Sequence, residues 1–265
     1  NSPIGVFDSG IGGLTVASAI QKVLPNEQIV YFGDTAHLPY GDKSTAAIQA
    51  YTVKVCDMLL KQEVKVILMA CNSASSSAFD LAKAYVGSRA HVVNVIDPLV
   101  SYIDTAYNNV DIGLIGTKRT VTSNIYRSKL DQLNKGVHLK SLAAPLLAPM
   151  IEEGFYKNEI SEKIISNYLD EDILQGIEAL ILGCTHYPLI KEEIMRYYKG
   201  EVEVLDASEI VANAVKDLLQ EKGLLSQPND VVHQFFVSDF TQSFQESTQQ
   251  FFGKQVVLQL YKLWE

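Results

Sequence analysis

Cysteine is scarce in this chain. Its 265 residues contain three, Cys56, Cys71 and Cys184, and an odd number at wide spacing excludes a disulfide framework. The five histidines are scattered, and no group of Cys, His and acidic residues has zinc-site spacing, so no metal is expected. Basic charge is also short. Lys and Arg total 22 against 31 Asp and Glu, a formal net charge of -9. A nucleic-acid surface needs clustered basic charge, so nucleic acid is not an expected partner. An anionic small molecule stays possible, because the field inside a pocket can oppose the net charge. No apolar run approaches the ~20 residues that cross a bilayer, so no membrane partner is expected. The polar start, Asn1 to Ile4, leads straight into a strand pattern and carries no signal-peptide signature. The expectation is a soluble, reduced, cytoplasmic protein.

What is present describes a folded chain. Hydrophobic residues make up 47% and charged residues 20%, a globular rather than disordered balance. The length suits one to two domains and a sizeable core. Short apolar runs alternate with helical spacings. Ile4 to Phe7, Gln28 to Phe32, Val64 to Met69 and His91 to Ile96 read as strands. Leu14 to Val23, Ser44 to Lys61 and the stretch from Asn72 to about Tyr85 read as helices, with Asp97 as N-cap of the next. The second half repeats the plan, with strands at Asp111 to Ile115, Ile177 to Leu182 and Glu201 to Leu205, and Asp206 as a further cap. Such alternation predicts βαβ units and parallel sheets.

The halves also match each other. IGVFDSG at Ile4 aligns with IGLIGT at Ile112, VKVILMAC at Val64 with IEALILGC at Ile177, and NVID at Asn94 with EVLD at Glu203. The offsets are 108, 113 and 109 residues. A duplicated unit predicts two pseudo-symmetric α/β domains with largely parallel sheets and the active site in the cleft between them. Val231 to Val237 and Gln255 to Leu260 read as late strands that return to the first half. The expected division is a discontinuous first domain, 1–97 plus 207–265, and a second domain, 98–206.

In open parallel sheets, ligands bind at the carboxyl ends of strands. The duplication places Cys71 and Cys184 at equivalent strand ends, where they can face each other across the cleft. Two opposed thiols suit racemisation: a thiolate removes a proton from one face of a carbon while a thiol returns one to the other. Each cysteine precedes an expected helix start, where backbone N–H groups favour an anion. Cys56, inside a helical pattern, reads as a small buried hydrophobe. Asp8, ending a buried strand, needs a partner or a task. His186, two residues past Cys184, is a better acid/base candidate than His37, His91, His138 or His233. Asn72, Ser73, Thr117 and Thr185 are neutral donors for carboxylates. The turn from Asp8 to Gly13 fits neither a dinucleotide fingerprint nor a P-loop. No lysine stands in a pyridoxal-phosphate context, so no cofactor is expected.

The motifs FDSGIGG at Phe7, PYGDKS at Pro39, ACNSAS at Ala70, GTKRT at Gly116 and GCTHYPL at Gly183 closely resemble the glutamate racemases of the aspartate/glutamate racemase superfamily. The resemblance implies cofactor-independent interconversion of L- and D-glutamate, supply of D-glutamate for peptidoglycan synthesis, and often a homodimer. It implies that Cys71 works on D-glutamate and Cys184 on L-glutamate, assisted by Asp8 and His186. It implies substrate binding by Asp8, Ser9, Pro39, Tyr40, Gly41, Asn72, Ser73, Thr117, Thr120, Glu152, Thr185 and His186. One departure is Ser73, where the family usually has Thr: the hydroxyl survives and a methyl contact is lost. Three alternatives stand beside this reading. They are a racemase for aspartate or another acidic amino acid, a cysteine hydrolase using Cys184 with His186, and a non-catalytic binding role.

Overall fold

The computed structural model describes residues 2–228 and 230–265. The first half contains strands β1 (Ile4–Asp8), β2 (Ile29–Gly33), β3 (Val66–Met69) and β4 (His91–Asn94), with helices α1 (Leu14–Val23), α2 (Thr45–Lys61), α3 (Asn72–Val86) and α4 (Ile96–Ala106). The second half contains β5 (Asp111–Gly116), β6 (His138–Ala143), β7 (Ala179–Gly183) and β8 (Glu203–Leu205). Its helices are α5 (Lys118–Thr122), α6 (Ile125–Gln132), α7 (Leu147–Glu152), α8 (Glu159–Leu169) and α9 (Lys191–Tyr197). Helix α10 (Ala207–Glu221), β9 (Gln234–Val237), α11 (Gln242–Phe252) and β10 (Leu258–Leu260) follow.

Among the described residues every strand pairing is parallel, in a six-stranded sheet ordered β10-β9-β2-β1-β3-β4 and a four-stranded sheet ordered β6-β5-β7-β8. Strands β1, β2, β3 and β7 are buried along their whole length, which is why their sequences are apolar runs rather than alternating patterns. The late strands β9 and β10 join the first sheet beside β2, as the sequence suggests. They are shorter than expected, beginning at Gln234 and Leu258. Strand β6 had no clear sequence signal. It lies at a sheet edge and is only partly buried, so its residues alternate weakly. Helix α10 packs on both α1 and α4, and one hydrophobic core runs through residues of both sheets.

The duplication is visible in the topology. The order β2-β1-β3-β4 repeats as β6-β5-β7-β8. Ile4 pairs with Val66, and Ile112 with Ala179, so the offsets of 108 and 113 are in register. The third alignment, Asn94 with Glu203, is out of register by three residues. Val66 pairs with His91, and Ala179 with Glu203, so His91 corresponds to Glu203 and Asn94 to Asp206. Capping agrees with that register. Asn94 Oδ1 accepts from the Ile96 and Asp97 N–H groups at 2.8 and 2.7 Å, and Asp206 Oδ1 accepts from Ser208 N–H at 2.9 Å. Asp97 is therefore not the cap of α4. It sits inside the first turn, where its carboxylate meets Lys129 Nζ at 2.7 Å, because the Asn94 side chain already occupies the free N–H groups.

Candidate active site

A cavity of about 230 Å³ opens at the carboxyl ends of the strands, between the two sheets. One wall is Ser9, the segment Leu38 to Gly41, and Cys71 to Ser73. The other is Thr117, Ala148, Pro149, Glu152 and Gly183 to His186. The cavity contains no Lys or Arg side chain among its lining residues. Leu38, Ala148, Pro149 and Gly183 carry no polar side chain and were not singled out from sequence.

Two glycines let the walls approach. A Cβ at Gly12 would come within 2.5 Å of Thr185 Oγ1 and 2.6 Å of the His186 ring, and one at Gly41 within 2.8 Å of Thr117 Cβ. Gly12 of FDSGIGG thus serves close packing between the halves, whereas a Cβ at Gly13 would meet Asp8 Cβ at 2.5 Å within the first half. Ser73 Oγ and Thr117 Oγ1, 2.8 Å apart, bridge the walls.

Cys71 is the N-cap of α3, its Sγ accepting from Ala74 N–H at 3.5 Å. Its thiol also donates to Ser9 Oγ at 3.6 Å. Burial pushes this thiol up to about 12; the charges of Asp8 and Cys184 push the same way, and the Ala74 and Ser9 hydrogen bonds only partly oppose them. Cys71 is thus held as S–H. Cys184 is placed differently from expectation. The chain after it forms a 3₁₀ turn, Tyr187–Ile190, and α9 starts only at Lys191. Pro188 within that turn has no N–H to donate. The helix-terminus argument therefore holds for Cys71 alone.

At Cys184 the polar partner is a side chain. Sγ lies 3.6 Å from His186 Nδ1, and His186 Nε2 lies 2.8 Å from Glu152 Oε1. Burial alone would lower the His186 pKa. The Cys184 hydrogen bond and charge, joined by those of Glu152, outweigh burial and raise it well above the usual imidazole value. An imidazolium beside Sγ is the partner a thiolate needs. Phe251 packs edge-on against the same ring, centroids 5.3 Å apart.

Asp8 and Thr120 do not line the cavity. Asp8 is wholly buried and accepts from Gly10 N–H at 3.0 Å and Thr185 Oγ1 at 3.4 Å. Burial raises its pKa, while His186 and the Gly13 and Gly10 N–H groups pull it down. It adjusts the field at Cys71 and Thr185 from behind the wall. Thr120 stands behind Thr117, accepting its hydroxyl at 3.1 Å. Asn72 Oδ1 accepts from Tyr126 OH at 2.7 Å, which orients the amide and leaves its NH₂ group as a donor. Tyr40 OH donates to Asp34 Oδ2 at 2.7 Å. Burial and the Asp34 charge raise the phenol far above its ordinary value, so it stays an O–H donor. Cys56 is buried away from this cavity, as expected.

Comparison with known proteins agrees with the layout. The family model described as Asp/Glu/Hydantoin racemase matches residues 14–215. A glutamate racemase from Chlorobaculum parvum is 37% identical over 259 residues, covering 96% of this chain and 94% of that one. One from Neisseria meningitidis serogroup A is 38% identical over 253 residues, covering 95% and 93%. The crystal structure of glutamate racemase from Francisella tularensis in complex with D-glutamate superposes with a TM-score of 0.92 at 38% identity, covering 99% and 98%. The chain belongs to the Asp/Glu/Hydantoin racemase family, a family of isomerases, and groups there with the glutamate racemases.

Proposed function

We propose that the protein interconverts L- and D-glutamate without a cofactor, with Cys71 and Cys184 as the acid and base on opposite faces of Cα. The observation that carries this reading is the pair of thiols, one from each duplicated half, lining a single cavity. The cavity volume of about 230 Å³ is below the ~300–1,000 Å³ of sites for drug-sized ligands, and suits a small amino acid.

In the L-to-D direction the Cys184 thiolate takes the Cα proton and becomes S–H. The electron pair stays on Cα and spreads into the α-carboxylate. The Cys71 thiol then gives its proton to the opposite face and is left as thiolate. The reverse reaction starts from that state. Holding Cys71 as S–H and Cys184 beside an imidazolium prepares the site for L-glutamate first. The Cα–H bond is far less acidic than a thiol, so the carbanion needs preorganised donors. The free NH₂ group of Asn72 supplies one, the hydroxyls of Ser73, Thr117 and Thr185 supply others by turning from their present acceptors, and a closed cavity strengthens each by excluding water. Asp8 and His186 assist Cys71 and Cys184; Ser9, Pro39, Tyr40, Gly41 and Glu152 complete the substrate's surroundings, with Thr120 supporting Thr117. In the cell this activity would supply D-glutamate for peptidoglycan in the cytoplasm, from a homodimer. The domain division at 97/98 and 206/207 belongs to the same reading.

Proton NMR with D-glutamate in D₂O, followed by chiral analysis, tests the proposal. Deuteration at Cα with appearance of L-glutamate supports it. Folded protein with neither exchange nor conversion overturns it. Parallel rates on D-aspartate decide the substrate, since one methylene shifts binding by only about 1–3 kcal/mol. The chain Cys184–His186–Glu152 also has the order of a nucleophile, base and orienting acid. That second reading, a cysteine hydrolase, leaves Cys71 idle and predicts a trappable acyl-enzyme.

A further inference from the structure

We infer that Trp264 is a positioning residue for substrate binding: its indole N–H shares the buried Asp34 carboxylate with Tyr40 and so latches the loop His37–Asp42 against the cavity. Asp34 follows β2 and is wholly buried. A buried carboxylate is costly unless it is well hydrogen-bonded, and this one accepts from four side chains. Oδ2 takes Tyr40 OH at 2.7 Å and His37 Nδ1 at 3.0 Å. Oδ1 takes Ser238 Oγ at 2.7 Å and Trp264 Nε1 at 2.8 Å. One carboxylate therefore joins a cavity-lining residue, the start of its loop, the turn after β9 and the segment after β10.

Ring contacts follow the same lines. His37 stacks on Tyr51 at 4.1 Å and receives Trp264 edge-on at 4.4 Å. Trp264 also meets Tyr51 at 5.4 Å, and Lys54 Nζ lies 5.3 Å from its ring centre. A second seam joins Thr35 to the Asp239 backbone, Oγ1 donating to O at 2.6 Å and accepting from N–H at 2.9 Å. The loop itself is only two single 3₁₀ turns, Thr35–His37 and Tyr40–Asp42. It has no ladder of its own, so distant partners must order it. Loss of the Trp264 N–H leaves Oδ1 with Ser238 and a longer, shared contact to His37 Nδ1 at 3.2 Å. The carboxylate can then turn, and Tyr40, which shares it, turns too.

The kinetic part of the test rests on the proposed racemisation; the exchange part does not. Trp264→Phe keeps a ring and removes the N–H, and Trp264→Ala removes both. Measured in the full chain are kcat and KM for both enantiomers, the unfolding midpoint, and amide hydrogen exchange of residues 35–42. A latch acting on ground state and transition state alike raises KM and spares kcat. Trp264→Phe is expected to raise KM about three- to tenfold, the loss of one hydrogen bond to a charged group partly replaced by water. Its kcat stays close to wild type, its midpoint falls modestly with the lost hydrogen bond, and loop exchange quickens. Trp264→Ala does the same to a larger degree. Unchanged KM in both variants overturns the inference, as does a fall in kcat and midpoint at constant KM, which makes Trp264 structural only. If the wild type does not racemise glutamate, the functional reading fails separately. Loop exchange then decides alone: faster in the variants supports the latch, unchanged overturns it.

Discussion

Replacing Glu152 by Gln isolates the charge that holds His186 protonated. The substitution keeps shape and a hydrogen-bonding oxygen but removes the negative charge 2.8 Å from Nε2. His186 is almost fully buried, and the Glu152 side chain is 21% exposed, so solvent screens the pair only in part. A hydrogen bond to a charged group contributes about 1.5–3 kcal/mol, and partial exposure favours the lower end, about 1.5 kcal/mol. Losing that interaction lowers the His186 pKa from its raised position. The sign follows from linkage. The folded-state pKa of His186 lies above its unfolded value near 6.5. The stabilisation is therefore fully present below about pH 6.5 and is lost as pH rises through the folded pKa. Urea unfolding of wild type and Glu152→Gln should differ most near pH 6 and converge toward alkaline pH. The variant's L-to-D activity should also fall off at a lower pH than wild type. An equal stability gap at pH 6 and at alkaline pH would refute the ion pair, because the charge on Glu152 would then not depend on His186 being protonated to matter.

Other expectations are simpler to read. Cys71→Ser and Cys184→Ser should each abolish racemisation, and each should retain solvent exchange at Cα of one enantiomer only; NMR in D₂O shows which. Lys65→Met should destabilise the fold by about 3 kcal/mol in urea, since it removes the countercharge 2.6 Å from the buried Glu27 carboxylate and leaves that carboxylate only its Ser226 N–H and hydroxyl donors. Its KM should hold, because neither residue lines the cavity. Asn94→Ala should cost about 1 kcal/mol as the loss of an N-cap, and Asp97→Ala less, since its partly exposed pair with Lys129 is worth about 0–1 kcal/mol. The reverse order in thermal unfolding would restore Asp97 as the cap.

Much of the fold was legible because buried parallel strands leave a plain mark. IGVF, VKVILM and the run at Ile177 are apolar without alternation, and each is followed by a turn of small residues. The edge strand β6 was not legible, since half-exposed residues such as Lys140 and Ser141 break the pattern without replacing it. The three-residue slip at Asn94 has a similar cause. Both Asn and Asp cap helices, and only the strand register shows which of Asn94 and Asp97 is level with Asp206. Among site residues, the polar ones drew notice by type and place. Leu38 and Ala148 could not, and the role of Asp34 depends on Ser238 and Trp264, more than two hundred residues further along the chain.

Sequence alone determined the class of architecture, the duplication and the pair of equivalent cysteines, because these depend on local hydrophobic period and on repeated order. The tertiary structure decided what surrounds each thiol. Cys71 received burial that keeps it protonated, only partly opposed by the helix N-terminus it caps, whereas Cys184 received His186 and, through it, Glu152. A thiol's charge state depends on burial and on charges within a few ångströms, and those neighbours come from segments that only the folded chain brings together.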